Sequence, residues 1–170
     1  MRTLLINGKH EPIPPFPHPR DYVWRCSRFF GARSLLSFMA VARFHAFREL
    51  FNSWRYRCGI PRDILIDPTN ACNLRCIGCW SHDYDQTCEL SLDKLDQICA
   101  EARKLGTLDI LLTGGEPMLR RKDILELARR HRRLFFGLFT NGTLIDESFV
   151  TAIEQLGNVT VFISIEGYRE

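Results

Sequence analysis

"LDILLTGGEPMLRRKDILELARRHRRLFFGLFTNGT", residues 108–143, sets two short apolar runs on either side of an amphipathic segment. "LDILLT", 108–113, and "LFFGLFT", 134–140, predict strands, and "DILELARRHRR", 123–133, predicts the helix between them. A strand, a helix and a strand at this spacing predict parallel pairing through a right-handed crossover. The alternation continues in both directions. "DILID", 63–67, predicts an earlier strand. "SLDKLDQICAEARKLG", 91–106, predicts a helix with Ser91 as N-cap, Gly106 as stop, and Leu92, Leu95, Ile98, Cys99, Ala102 and Leu105 on one face. "DESFVTAIEQLG", 146–157, predicts a helix, and "VTVFISI", 159–165, a strand. The order β, α, β, α, β, α, β predicts an α/β sheet or barrel.

Functional side chains in such folds gather at the C-terminal ends of the strands. Four loops follow the four predicted strands. They are the segment after "DILID", "TGGEP" at 113–117, "TNGT" at 140–143 and "SIEG" at 164–167. Parallel strands would bring all four to one rim.

The first loop contains "ACNLRCIGCW", residues 71–80, with Cys72, Cys76 and Cys79 at four- and three-residue steps. Thiolates suit zinc, copper(I) and iron–sulfur clusters. Structural zinc sites usually close with four ligands, and electron-transfer clusters generally take four cysteines. Three cysteines in one tight loop match three corners of a four-iron cluster with one iron left open. Zinc with Cys88 or His82 as fourth ligand stands beside this as the alternative. Cys99 falls on an apolar helix face and reads as core packing; Cys26 and Cys58 have no evident partners.

In "TGGEP", two glycines at a strand end allow close backbone approach to a ligand. Glu116 adds a carboxylate that could hold an ammonium group, and Pro117 fixes the exit. Taken alone, the five residues also fit a tight turn with a solvated glutamate.

Together, C-x3-C-x2-C after the first strand and GGEP after the second resemble the radical S-adenosylmethionine (radical SAM) superfamily over residues 62–167. The resemblance implies a partial (β/α) barrel. It implies a 4Fe-4S cluster on Cys72, Cys76 and Cys79, with S-adenosyl-L-methionine (SAM) bound through its amino and carboxylate groups at the open iron. One-electron reduction, by a donor such as flavodoxin or ferredoxin, would cleave SAM to methionine and a 5′-deoxyadenosyl radical that takes hydrogen from a substrate. Gly114, Gly115, Glu116 and Pro117 match the segment that holds the SAM amino group. Ser164 and Glu166 resemble the polar positions that contact its ribose or carboxylate, although "SIEG" stands where S-x-D-G is more usual. Thr140 and Asn141 share the rim; for Asn141, closing the turn before Gly142 is the simpler role. Gly78 occupies the position that is often aromatic or histidine, with Trp80 following Cys79. The family's core has six β/α units and this sequence supplies four, which implies the front part of a longer, oxidoreductase-like enzyme. A chain so shortened is expected to be catalytically impaired and to carry an open strand edge.

The 170 residues carry 23 Lys+Arg against 20 Asp+Glu, spread unevenly. Residues 1–57 hold ten basic and three acidic residues, whereas the rest of the chain is net acidic. The expected organisation is a Pro-rich arm at 1–20, a basic amphipathic helical segment at 21–58 and the core at 59–170. In the helical segment Leu36, Ala40, Phe44, Phe47, Phe51 and Trp54 share a face. That face is expected to pack on the domain; docking on an anionic membrane surface or on a partner is the sharper alternative. No recognisable nucleic-acid module is present. Seven cysteines without a secretory signal or a membrane-spanning run point to a cytoplasmic chain with reduced thiols.

Overall fold

A computed structural model of the chain describes residues 3–6, 9–12, 40 and 43–165. The chain divides into two compact units, Met1–Val41 and Ala42–Glu170. In the first unit, β1 (Thr3–Ile6) pairs antiparallel with β2 (Lys9–Pro12), from Thr3 opposite Pro12 to Ile6 opposite Lys9. The pair lies within the expected Pro-rich arm, and Asn-Gly at 7–8 between its strands is a strong hairpin signal. The proline run beyond Pro12 and the helical reading of 21–39 lie outside the described residues.

The second unit is built on four parallel strands in sequential order: β3 (Asp63–Ile66), β4 (Asp109–Leu112), β5 (Phe135–Thr140) and β6 (Val159–Ile163). Helices α2 (Leu92–Leu105), α3 (Arg121–Arg130) and α4 (Glu147–Leu156) supply the crossovers. Sequential order with right-handed crossovers puts every helix on the same side of the sheet, the winding of a barrel. The core lies between these layers. Ile110 and Leu112 of β4 and Phe136 and Leu138 of β5 meet Leu95, Cys99 and Ala102 of α2, Ile124, Leu127 and Ala128 of α3, and Phe149 of α4. Strand side chains alternate faces, so Leu65, Phe139 and Phe162 emerge on the opposite side, where they are exposed. There Phe139 stacks on its register partner Phe162 at 4.9 Å between ring centres. Among the described residues β6 pairs only with β5, which leaves its outer edge open.

The helix ends follow their capping residues. Ser91 Oγ accepts from Lys94 N at 3.2 Å, and Gly106 closes α2 in the left-handed region. Asp146 caps α4 by accepting from Phe149 N at 2.8 Å, and Gly157 ends it. Helix α3 is displaced from the expected 123–133. Pro117–Arg120 forms a 3-10 turn that leads into it, and residues 131–133 leave it as a turn. Asn158 explains the early end, because its side-chain amide donates to the Ala128 and Leu134 carbonyls at 3.0 Å.

Helix α1 (43–56) departs from expectation in orientation. It attaches to the domain through polar side chains. Asn52 Nδ2 donates to the carbonyls of Lys104 and Leu105 at 3.0 and 2.8 Å, Arg48 donates to Lys104 at 2.9 Å, and His45 Nδ1 lies 3.3 Å from the Gly106 carbonyl. These groups satisfy the terminal carbonyls that α2 cannot bond internally. Close approach to the α1 backbone also requires Gly106, where a Cβ would come within 2.6 Å of Glu49 N. The aromatic stripe expected to pack instead faces outward. Phe47 and Trp54 are 70% and 78% exposed, and Leu50 beside them 72%.

Candidate cofactor-binding rim

The loop after β3 returns to its own base. Asn70 N donates to Cys88 O and Leu90 N to Pro68 O, both at 3.0 Å, and these bonds close a neck around residues 70–88. Arg120 braces the neck, donating to Pro68 O and Glu89 Oε2 at 3.3 Å while paired with Asp123. Cys72, Cys76 and Cys79 lie within the closed segment as free thiols, Cys76 exposed and the others half-buried. Cys79 N donates to Cys76 O at 3.2 Å, Leu74 N to Cys72 Sγ at 3.4 Å, and Gly78 turns with φ 75°. Among the described residues no three His, Cys, Asp or Glu side chains stand gathered to hold a metal ion. The donor set still fits an iron–sulfur cluster: three accessible soft ligands on one loop, one already accepting an amide hydrogen bond. Cys88 serves the neck through its carbonyl, and Cys99 packs in the core, where burial pushes its thiol up to about 12.

Gly114 and Gly115 lie directly against the base of this loop. Gly115 N donates to Thr69 O at 3.0 Å and Glu116 N to Ala71 O at 2.8 Å. A Cβ on Gly114 would stand 2.6 Å from the Thr69 carbonyl oxygen, and one on Gly115 would run into the carbonyls of Asn70 and Ala71. The glycine pair is thus required by backbone contact with the residues that precede Cys72. Pro117 is buried at the first position of the 3-10 turn.

The Glu116 carboxylate turns inward from the rim. The residue is 1% exposed and points into the fold. Its Oε1 accepts from Met118 N at 2.9 Å and Thr140 Oγ1 at 2.7 Å, and Oε2 accepts from Asn141 N at 2.9 Å. Three donors from two loops occupy the carboxylate, so it joins the end of β4 to the end of β5.

Asn141 closes its turn and also reaches across the rim. Its Oδ1 accepts from Thr143 N at 3.0 Å, and its Nδ2 donates to Asn73 Oδ1 at 2.9 Å. Asn73 Nδ2 in turn donates to Thr143 Oγ1 at 2.8 Å. Asn73 was not among the expected site residues; its place beside Cys72, as the one uncharged polar side chain apart from the thiols in residues 71–80, is the available signal. Ser164 is exposed beside β5, its amide donating to Thr140 O at 2.9 Å. Glu166 lies outside the described residues. Asp67, also unanticipated, ends β3 beneath Gly114; its Oδ1 is buried without a partner, and burial raises its carboxyl above the usual range.

Residues 66–170 match the family model of the Radical SAM superfamily. Fe-coproporphyrin III synthase of Methanosarcina barkeri is 35% identical over 111 residues, covering 63% of this chain and 28% of that protein. PqqA peptide cyclase of Rhodopseudomonas palustris is 32% identical over 114 residues, covering 64% and 30%. The aligned part thus spans under a third of either relative's length. Among solved structures, Streptococcus suis SuiB bound to S-adenosylmethionine matches with a TM-score of 0.56 at 17% identity, covering 84% of this chain and 35% of that one. At that identity the likeness is one of fold.

Proposed function

The chain belongs to the radical SAM superfamily, and from that premise we propose that it forms the cofactor-binding part of a radical SAM enzyme. Cys72, Cys76 and Cys79 would hold a 4Fe-4S cluster, and the rim formed by Gly114, Gly115 and Ser164 would bind SAM. The observation that carries this reading is the fastening of the three-cysteine loop onto the Gly114–Gly115 backbone. Gly115 N and Glu116 N bond the carbonyls of Thr69 and Ala71, just ahead of Cys72, which supports a shared site at the strand ends.

When bound, the cluster supplies a single electron to the SAM sulfonium, from which members of the family obtain a 5′-deoxyadenosyl radical. The chain's own residues do the rest. The loop would bring its thiols together as ligands on taking up the cluster, since metal binding and ordering of a ligand loop are coupled. With the Glu116 carboxylate occupied, backbone carbonyls are the acceptors for the SAM ammonium. Glu116 fixes their position. Ser164 offers an exposed hydroxyl for the ribose or carboxylate, and Glu166 stands in the segment that follows. Trp80, next to Cys79, pairs edge-on with Tyr84 at 5.9 Å. The two relatives are named for a porphyrin and a peptide, so no single substrate class is proposed. A one-electron donor such as flavodoxin or ferredoxin and a reducing, cytoplasmic setting complete the reading.

Anaerobic reconstitution with iron and sulfide tests it. A brown protein with about four irons per chain, whose EPR signal changes on adding SAM, is expected. Cys72→Ala, Cys76→Ala and Cys79→Ala should each abolish it. A colourless protein holding one zinc with Cys88 as ligand would replace this reading with a structural metal site.

A further inference from the structure

The outward face of α1 has no role in the cofactor rim. Arg43, Phe47, Leu50 and Trp54 recur at four-, three- and four-residue steps, on the side opposite the buried His45 and Asn52. Phe44 and Phe51 flank them, both exposed. The basic groups form a border: Arg55 is exposed on the same helix, and the Arg133 guanidinium lies 5.7 Å over the Phe44 ring. The sole acid of the described helix, Glu49, sits inward and pairs with Arg62 at 3.5 Å. An apolar stripe bordered by cations, on a described helix whose one acid pairs inward with Arg62, is complementary to an anionic surface with an apolar interior.

We propose that α1 docks this domain in plane on an anionic lipid surface, with Phe47, Leu50 and Trp54 inserted among the acyl chains and Arg43, Arg55 and Arg133 at the headgroups. Two arguments favour lipid over protein. The exposed stripe amounts to roughly 600 Å² on side-chain sizes, below the ~800 Å² per partner of a specific protein interface. Its composition, Trp and Phe bordered by Arg, is that of interfacial helices. The polar contacts to the end of α2 already hold the helix folded, so docking requires no ordering of α1. No described helix is long and apolar enough to cross a membrane.

The test is co-sedimentation of the intact chain with vesicles of phosphatidylglycerol and phosphatidylcholine, and with phosphatidylcholine alone. Binding is expected to the anionic vesicles and to weaken as salt rises. Phe47→Ala with Trp54→Ala should lower the partition coefficient at least about tenfold. Arg43→Gln with Arg55→Gln, which removes no inserted apolar group, should lower it to a similar degree on anionic vesicles only. Unchanged binding in either double variant, or none by the intact chain, overturns the proposal. So does concentration-dependent dimerisation in sedimentation velocity that the Phe47/Trp54 variant abolishes, because a second copy would then cover the face.

Discussion

Asn73 Oδ1 accepts a 2.9 Å hydrogen bond from Asn141 Nδ2, joining the residue after Cys72 to the turn after β5. With Thr143 the pair forms a closed ring of side-chain bonds across the strand ends. These bonds are exposed, so each adds little to global stability, about 0.5–1 kcal/mol. Their effect is local, on the freedom of the thiol loop.

Asn141→Ala is therefore expected to leave the melting temperature nearly unchanged while the amides of residues 73–80 exchange roughly fivefold faster. Reconstituted protein should retain less iron after desalting. Hydrogen exchange by mass spectrometry reads the loop directly. Equal exchange in both proteins would mean that the neck at Asn70–Cys88 alone sets the loop.

Glu116→Gln separates a structural carboxylate from one that holds a ligand. Three donors converge on its two oxygens, and an amide nitrogen in place of one oxygen would face a donor. Buried groups left without partners cost about 1–3 kcal/mol, so the variant should melt several degrees lower. A variant of unchanged stability that no longer binds SAM would show that the carboxylate turns outward to the ligand.

Gly115→Ala should be more severe. The added methyl meets the carbonyls of Asn70 and Ala71, both backbone and unable to yield by rotation. A loss of about 3 kcal/mol, the upper end for overpacking, is expected, with disturbance centred on the cysteine loop. Gly59→Ala, where a Cβ meets nothing within 4 Å, is the control. Equal urea midpoints for the two variants would remove the case for backbone contact at Gly115.

Repetition made the strands, helices and caps legible. Period-two and 3.6-residue apolar patterns, with Ser91, Gly106, Asp146 and Gly157 at the ends, carry their own boundaries. Glu116 is less legible, because one carboxylate after two glycines looks the same whether it points at a ligand or at Thr140; its bonds here are to partners 24 and 25 residues away. Helix α1 was misread for a related reason. Its aromatic stripe marks one face but not which face meets the domain, and that is settled by the unsatisfied carbonyls at the end of α2, which need Asn52 and Arg48. Asn73 and Asp67 matter through neighbours that the sequence does not place beside them.

Asp63 and Asp109 stand opposite each other in register on β3 and β4. Burial first, then the hydrogen bond and charge of Asp63, raise the Asp109 carboxyl from 3.8 to about 6, with Arg62 opposing. A carboxyl raised in the folded state stabilises the fold while protonated. The contribution is complete below the unfolded value near pH 4 and is lost as pH rises through about 6. Without screening it would be worth about 3 kcal/mol; the group is half-buried, so about 1 kcal/mol is expected. Asp67, raised by burial, adds in the same direction. Asp96 and Asp146, held low by His131 and by Ser148 respectively, act oppositely, at lower pH. Asp109→Asn should therefore flatten the fall in melting temperature between pH 5 and 7.5, leaving the variant a few degrees more stable relative to wild type at the upper end. Parallel curves for the two proteins across that range would show that Asp109 is already ionised at pH 5.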